Sequence, residues 1–152
     1  MKSVSGSGNK YVLDSFALLA HFNNEPGGKI VREILEHGRI SRHPLLLSAV
    51  NLSECLYITE RRVGGSATDD MYKVIKELPV LVVKADDALA VAAACFKAHN
   101  RISLADAFAA ALAVQKSATL VTGDLEFKTL EKTIPIRWLP QRGRITTKLE
   151  KV

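Results

Sequence analysis

Asp14, Glu54, Asp106 and Asp124 are the side chains of this sequence best suited to chemistry, and each stands where a structural pattern starts or stops. Asp14 closes the β-prone run from Lys10, and Asp124 follows Gly123 just after Ala118 to Thr122. Glu54 and Asp106 fall in the early turns of helical patterns. Carboxylates gathered in one cleft repel, and without a cation at least one takes up a proton at a raised pKa. A divalent ion relieves that repulsion. Oxygen-only ligands favour hard ions such as Mg²⁺ or Mn²⁺, whose bound water serves phosphodiester hydrolysis while the ion offsets charge developing on phosphate. One ion, or a pair about 3.5–4 Å apart, fits such a set equally. The absence of a His/Cys ligand cluster argues against zinc.

Each acid also has a simpler reading. Ser103-x-x-Asp106 has the form of a capping box, and an acid in the first turn suits the helix dipole. Gly123-Asp124 suits a turn, and Glu54 a helix surface. Ser15 and Thr122, beside the two strand-end acids, offer hydroxyls that either orient carboxylates or metal-bound water, or serve as a helix cap and a strand residue.

The elements that must position these residues alternate along the chain. After Lys10 to Asp14 comes a helical run, Ser15 to Phe22; Asn23 to Gly28 breaks it. Lys29 to His37 has amphipathic spacing at Ile30, Val31, Ile34 and Leu35, with Gly38 as the expected stop. Pro44 to Ser48 predicts a strand, the segment from Ala49 a helix ending at Gly64-Gly65, and Ser66 to Leu78 another helix. Pro79 to Val83 is apolar throughout, as expected of a strand covered on both faces. Ala85 to His99 returns to helix, Ser103 opens a further alanine-rich one, Ala118 to Thr122 is a strand, and Ile134 to Trp138 is a last strand whose proline suits an edge. This order predicts a three-layer α/β sandwich around a parallel sheet. In such a sheet ligands sit beyond the carboxyl ends of the strands, where Asp14 and Asp124 lie and which Glu54 and Asp106 can reach.

The 152 residues fit one domain, long enough to bury about 70% of the unfolded surface. We expect a small polar lead at 1–9, the domain at 10–140 and a basic tail at 141–152. The lead lacks the apolar segment of a signal peptide, and no apolar run approaches the ~20 residues of a membrane span, so a cytoplasmic protein is expected. Cys55 and Cys95, far apart in helical patterns, read as reduced, buried thiols. A formal net charge of +5 favours an anionic partner such as nucleic acid, and Arg137, Arg142, Arg144, Lys148 and Lys151 stand against Glu150 alone after Ile136.

Taken together, Tyr11-Val-Leu-Asp14-Ser-Phe-Ala-Leu-Leu-Ala, Asn51-Leu-Ser-Glu54, Ser103-Leu-Ala-Asp106-Ala-Phe-Ala-Ala-Ala and Thr122-Gly-Asp124-Leu-Glu-Phe127 resemble a PIN domain, particularly the VapC-type toxin ribonucleases. The resemblance implies a five-stranded parallel sheet of order 3-2-1-4-5 and a Mg²⁺- or Mn²⁺-dependent endoribonuclease. It also implies a homodimer and a VapB-type antitoxin partner. Carried over by motif, the acidic, metal-holding site is Asp14, Glu54, Asp106 and Asp124, with Glu126 as an additional acid at a variable position. The lead and the tail lie outside the pattern. Apolar stripes on Lys29 to His37 and on the helix after Ser48 are a further motive for a homodimer.

Two other nuclease-fold readings stand beside this one: a housekeeping RNA-processing enzyme, and a PIN-like module that binds RNA or protein without cutting. A phosphoacceptor receiver domain is also doubly wound and acidic. It calls for a paired acid after the first strand and a lysine after the last, whereas Asp14 stands alone and Arg137 is the nearest late cation.

Overall fold

Tyr11–Leu13 (β1) and Thr119–Thr122 (β4) run side by side in parallel, with Leu13 opposite Val121. They form the centre of a five-stranded parallel sheet in the computed structural model, which describes residues 9–141. Leu45–Ser48 (β2) and Val80–Val83 (β3) extend the sheet on one side and Ile136–Trp138 (β5) on the other, in the order β3-β2-β1-β4-β5. That is the order the resemblance implies. Of the lead at 1–9 and the basic tail at 141–152, all but Asn9 and Gln141 lie outside the described residues.

Among the described residues six α-helices fill the crossovers from β1 to β4: Ser15–Phe22 (α1), Gly28–Ser41 (α2), Ala49–Val63 (α3), Gly65–Glu77 (α4), Asp87–His99 (α5) and Leu104–Gln115 (α6). Four of them start on an oxygen-bearing side chain that accepts a backbone N–H of the first turn: Asp14 for α1, Ser48 for α3, Asp86 for α5 and Ser103 for α6. Such a cap is worth about 1 kcal/mol, and here it ties all four helix starts to the end of the strand or loop before them.

The strands alternate faces, and that alternation builds two cores. Val12 and Leu120 pack beneath α5, α6 and the segment Phe127 to Ile134, while Leu13 and Val121 pack against α1, α2, α3 and α4. Along α6 every residue from Ala105 to Ala113 is buried, and its alanines let the helix sit close against the sheet and α5.

The structure departs from the sequence expectations in three places. Gly38 does not stop α2; the helix runs to Ser41, and Arg42, with φ of 58°, caps it. A Cβ on Gly38 would lie 2.6 Å from Leu45 Cδ1 and 3.0 Å from the His43 carbonyl, so the glycine marks close passage of β2. β3 is not covered on both faces. It is an edge strand, and although Val80 and Val82 pack in the second core, Leu81 remains 53% exposed. Cys95 is exposed rather than buried, whereas Cys55 is buried and its thiol is pushed up to about 12, chiefly by burial. No helix among the described residues is long and apolar enough to cross a membrane.

Candidate active site

The carboxyl ends of β1 and β4 meet at one hydroxyl. The Thr122 hydroxyl donates to Asp14 Oδ2 and accepts the Asp124 N–H at 3.0 Å. Asp14 Oδ1 accepts the Ala17 N–H at 2.8 Å, so both oxygens of this 1% exposed carboxylate are engaged. Burial pushes the Asp14 pKa up to about 8, against the opposing pull of the Thr122 and Ala17 hydrogen bonds and with further upward pressure from Asp106 and Asp124.

Asp124 begins the short 3₁₀ helix Leu125–Leu130, with its Oδ1 accepting the Glu126 N–H at 2.9 Å. The turn that presents it requires Gly123, because a Cβ there would run into the ring of Phe16. Asp106 sits in the first turn of α6, its N–H held by Ser103 Oγ at 3.1 Å. Its carboxyl is pushed up to about 7, first by burial and then by the charge of Asp124; Ser103 opposes the rise, and Glu54 and Glu126 add to it.

One oxygen each of Asp106, Asp124 and Glu126 lie within 4.8 Å of one another. Glu126, the additional acid of the sequence reading, therefore belongs to the tightest group, in which Asp14 and Glu54 have no place. Asp14, buried, feels the charges of Asp106 and Asp124, and Glu54, partly exposed on α3, accepts the Tyr57 hydroxyl at 3.4 Å. Among the described residues no lysine or arginine forms an ion pair with these acids. An oxygen-only donor set with two carboxyls pushed up and no internal counter-charge fits a hard divalent cation. Beside it a cleft of about 470 Å³, lined by Val50, Ser53, Glu54, Tyr57, Ser103 and Leu104 among others, leaves room for a substrate.

The two hydroxyls proposed beside the strand ends have different surroundings. Thr122 bridges Asp14 and Asp124, whereas the Ser15 hydroxyl donates to the Asn51 carbonyl at 3.4 Å and accepts the Asn51 amide at 3.1 Å. Asn51 is fully buried and escaped the sequence reading as a site residue; its spacing of three from Glu54 on one helix face was the available signal.

The raised carboxyls set a pH dependence. Between the unfolded aspartate pKa near 3.9 and about 7 to 8, the folded chain keeps protons that the unfolded chain has released. Stability without metal therefore falls as pH rises through that window and levels off above it. In EDTA the melting temperature is expected to be several degrees lower at about pH 8.5 than at about pH 5.5, since ~1 kcal/mol shifts it by roughly 2–4 °C in a chain of this size. Saturating Mn²⁺ is expected to shrink that difference. A melting temperature that climbs over the same interval in EDTA would contradict the buried-acid description.

Residues 11–132 match the PIN domain family. A chain of the Rickettsia felis VapBC2 complex, solved with a DNA fragment from its promoter, superposes with a TM-score of 0.69 at 16% identity, covering 86% of this chain and 98% of that one. VapC20 from Mycobacterium tuberculosis, a sarcin-ricin loop cleaving toxin, gives 0.61 at 17% identity over 79% and 94%. PAE2754 from Pyrobaculum aerophilum gives 0.59 at 20% identity over 94% of each chain. At these identities the likeness is one of fold. No curated protein matches the sequence.

Proposed function

The chain belongs to the PIN domain family, and from that premise we propose that it is a Mg²⁺- or Mn²⁺-dependent endoribonuclease, the toxin of a VapBC-type pair. The observation that carries this reading is the convergence of Asp106, Asp124 and Glu126 within 4.8 Å, with a buried Asp14 that feels two of their charges and no lysine or arginine ion-paired to them among the described residues. Asp106, Asp124 and Glu126 would hold the cation, with Asp14 and Glu54 adding negative charge to the same site. When bound, the cation supplies a more acidic water and a Lewis acid for the phosphoryl oxygen.

The chain's own residues do the positioning. Thr122 holds Asp14 and the Asp124 backbone in one arrangement, and Ser103 fixes the first turn that carries Asp106. Asp14 and Asp106, at about 8 and about 7, hold protons near neutral pH that a bound cation would displace. The cleft beside Glu54 gives the RNA strand a place next to these acids, and the net charge of +5 favours an anionic partner for the chain as a whole.

The partners follow from the same reading. The solved relatives include VapBC complexes, which supports a VapB-type antitoxin; a cationic side chain entering the acid cluster would pair with it and exclude the metal. A homodimer finds its support on α5 rather than on the stripes named from sequence. Ile30, Ile34, Leu52 and Leu56 pack into the chain's own second core, whereas α5 exposes Ala88, Val91, Ala94, Cys95 and Ala98 along one side.

The test is cleavage of a structured RNA by the purified chain. Cutting is expected in Mg²⁺ and in Mn²⁺ and to vanish in EDTA, with sedimentation of the same sample giving the mass of a dimer. Cleavage that survives EDTA would remove the metal-dependent reading. A monomer at tens of micromolar, roughly the range of weak dimers, would remove the homodimer.

A further inference from the structure

Asn51 joins the segments that carry three of the acids, although its side chain hydrogen-bonds to none of those carboxylates. Its Nδ2 lies 3.1 Å from Ser15 Oγ and 3.3 Å from the Ala105 carbonyl, and its own carbonyl accepts the Ser15 hydroxyl at 3.4 Å. Ser15 directly follows Asp14, Ala105 directly precedes Asp106, and Asn51 lies one helical turn before Glu54. One amide group thus spans the first turns of α1, α3 and α6, whose starts are separated in sequence by 36 and 54 residues at the bonds concerned.

The site is fully buried, and Asn51 Oδ1 has no hydrogen-bond partner. A buried, unpaired acceptor is unfavourable, and an apolar side chain of similar volume would avoid it. What such a side chain lacks is a donor that reaches two segments at once. Leucine would fill the space but leave Ser15 and the Ala105 carbonyl without the shared partner that sets their separation. The separation of the neighbouring carboxylates is then free to relax under their mutual repulsion, which is felt between Asp14 and Asp106 and between Asp106 and Glu54.

We propose that Asn51 is a positioning residue of the acid cluster: by bridging Ser15 and Ala105 it holds Asp14, Glu54 and Asp106 at the spacing that lets the cluster take a divalent cation. This rests on the reading of the acids as a cation site. It assigns Ser15 a role through Asn51 rather than through a carboxylate.

The experiment titrates Mn²⁺ into the parent, Asn51→Leu and Ser15→Ala, following free Mn²⁺ by electron paramagnetic resonance, with melts of each in EDTA. Both variants are expected to melt close to the parent and to bind Mn²⁺ roughly tenfold more weakly, the scale on which groups behind metal ligands act. In RNA cleavage at subsaturating Mn²⁺, kcat should fall while KM for RNA stays put, which a general loosening of the fold would not produce. Folded variants that bind Mn²⁺ as tightly as the parent overturn the proposal. Should Asn51→Leu fail to fold, Ser15→Ala, which deletes a single oxygen, decides alone. A parent that binds no Mn²⁺ overturns the cation reading itself, a different result from a parent that binds and variants that match it.

Discussion

Asp106→Asn and Asp124→Asn are each expected to lower RNA cleavage by on the order of 10³-fold or more while the chain stays folded, because a metal site contributes several kcal/mol of transition-state stabilisation and ~1.4 kcal/mol is tenfold in rate. The amide keeps the volume of the carboxyl and removes the charge that holds the cation. For Asp124 it also keeps the cap, since asparagine can accept the Glu126 N–H as aspartate does. Alanine at 124 removes charge and cap together and should cost a further ~0.5–2 kcal/mol of stability. Comparing the two separates chemistry from capping.

The asparagine variants carry a second, opposite sign. Asp106 is raised to about 7 because its charge is disfavoured by burial and by Asp124. Removing either charge relieves that conflict, so in EDTA above neutral pH both variants should melt at or above the parent temperature. A purely structural acid would show a loss instead. Variants that melt normally yet cut at the parental rate would exclude those carboxylates from catalysis and, taken together, sink the nuclease reading.

Phe127→Ala should produce the largest loss of stability. The ring is fully buried in the core beneath α5 and α6, on the short helix that begins at Asp124. Truncating such a side chain removes about 3–5 kcal/mol from a total of roughly 5–15. The melting temperature should fall by roughly 6–20 °C. Phe127→Leu, which leaves less empty volume, should lose a smaller part of it. Because Phe127 anchors the turn whose preceding residues are Asp124 and Glu126, Mn²⁺ affinity should drop well below the melting transition too. A Phe127→Ala chain that melts within a degree or two of the parent would mean that the surrounding core closes over the gap, and that the anchor is elsewhere.

Much of the fold is legible in the sequence because local signals agree with one another. Ser103, read as a cap ahead of an apolar run, does cap α6, while at α1 the capping side chain is Asp14 rather than Ser15, which lies inside the helix. The proline before β5 did mark an edge. What fails is whatever depends on distant packing. Gly38 has the composition of a helix stop, and only the passage of Leu45 and His43 explains why it lies within α2. The run at β3 is as apolar as a central strand, and its exposure follows from its place in the order rather than from its residues. Cys95 shares its helix with alanines on both the packed and the open side, so composition does not tell which way it points.

The site divides in the same way. The acids stand at ends of elements that the pattern already marks. Glu126 joins the tightest group only because the turn after Asp124 is 3₁₀ and brings it back toward Asp106. Asn51 joins the site through partners 36 and 54 residues away, and no local pattern carries such a link.

The bond between Thr122 and Asp14 spans 108 residues and has a consequence for the time at which the chain becomes competent. β1 is made early but its neighbour β4 is made late, and pairing across so long a separation is slow relative to helix formation. A ribosome-bound chain that ends before Asp124 has β1 to β4 and all six α-helices but lacks two of the three acids, because the turn that carries Asp124 and Glu126 does not yet exist. The cluster of Asp106, Asp124 and Glu126 therefore cannot assemble until the turn after β4 has been made, however early β1 and its Asp14 are in place.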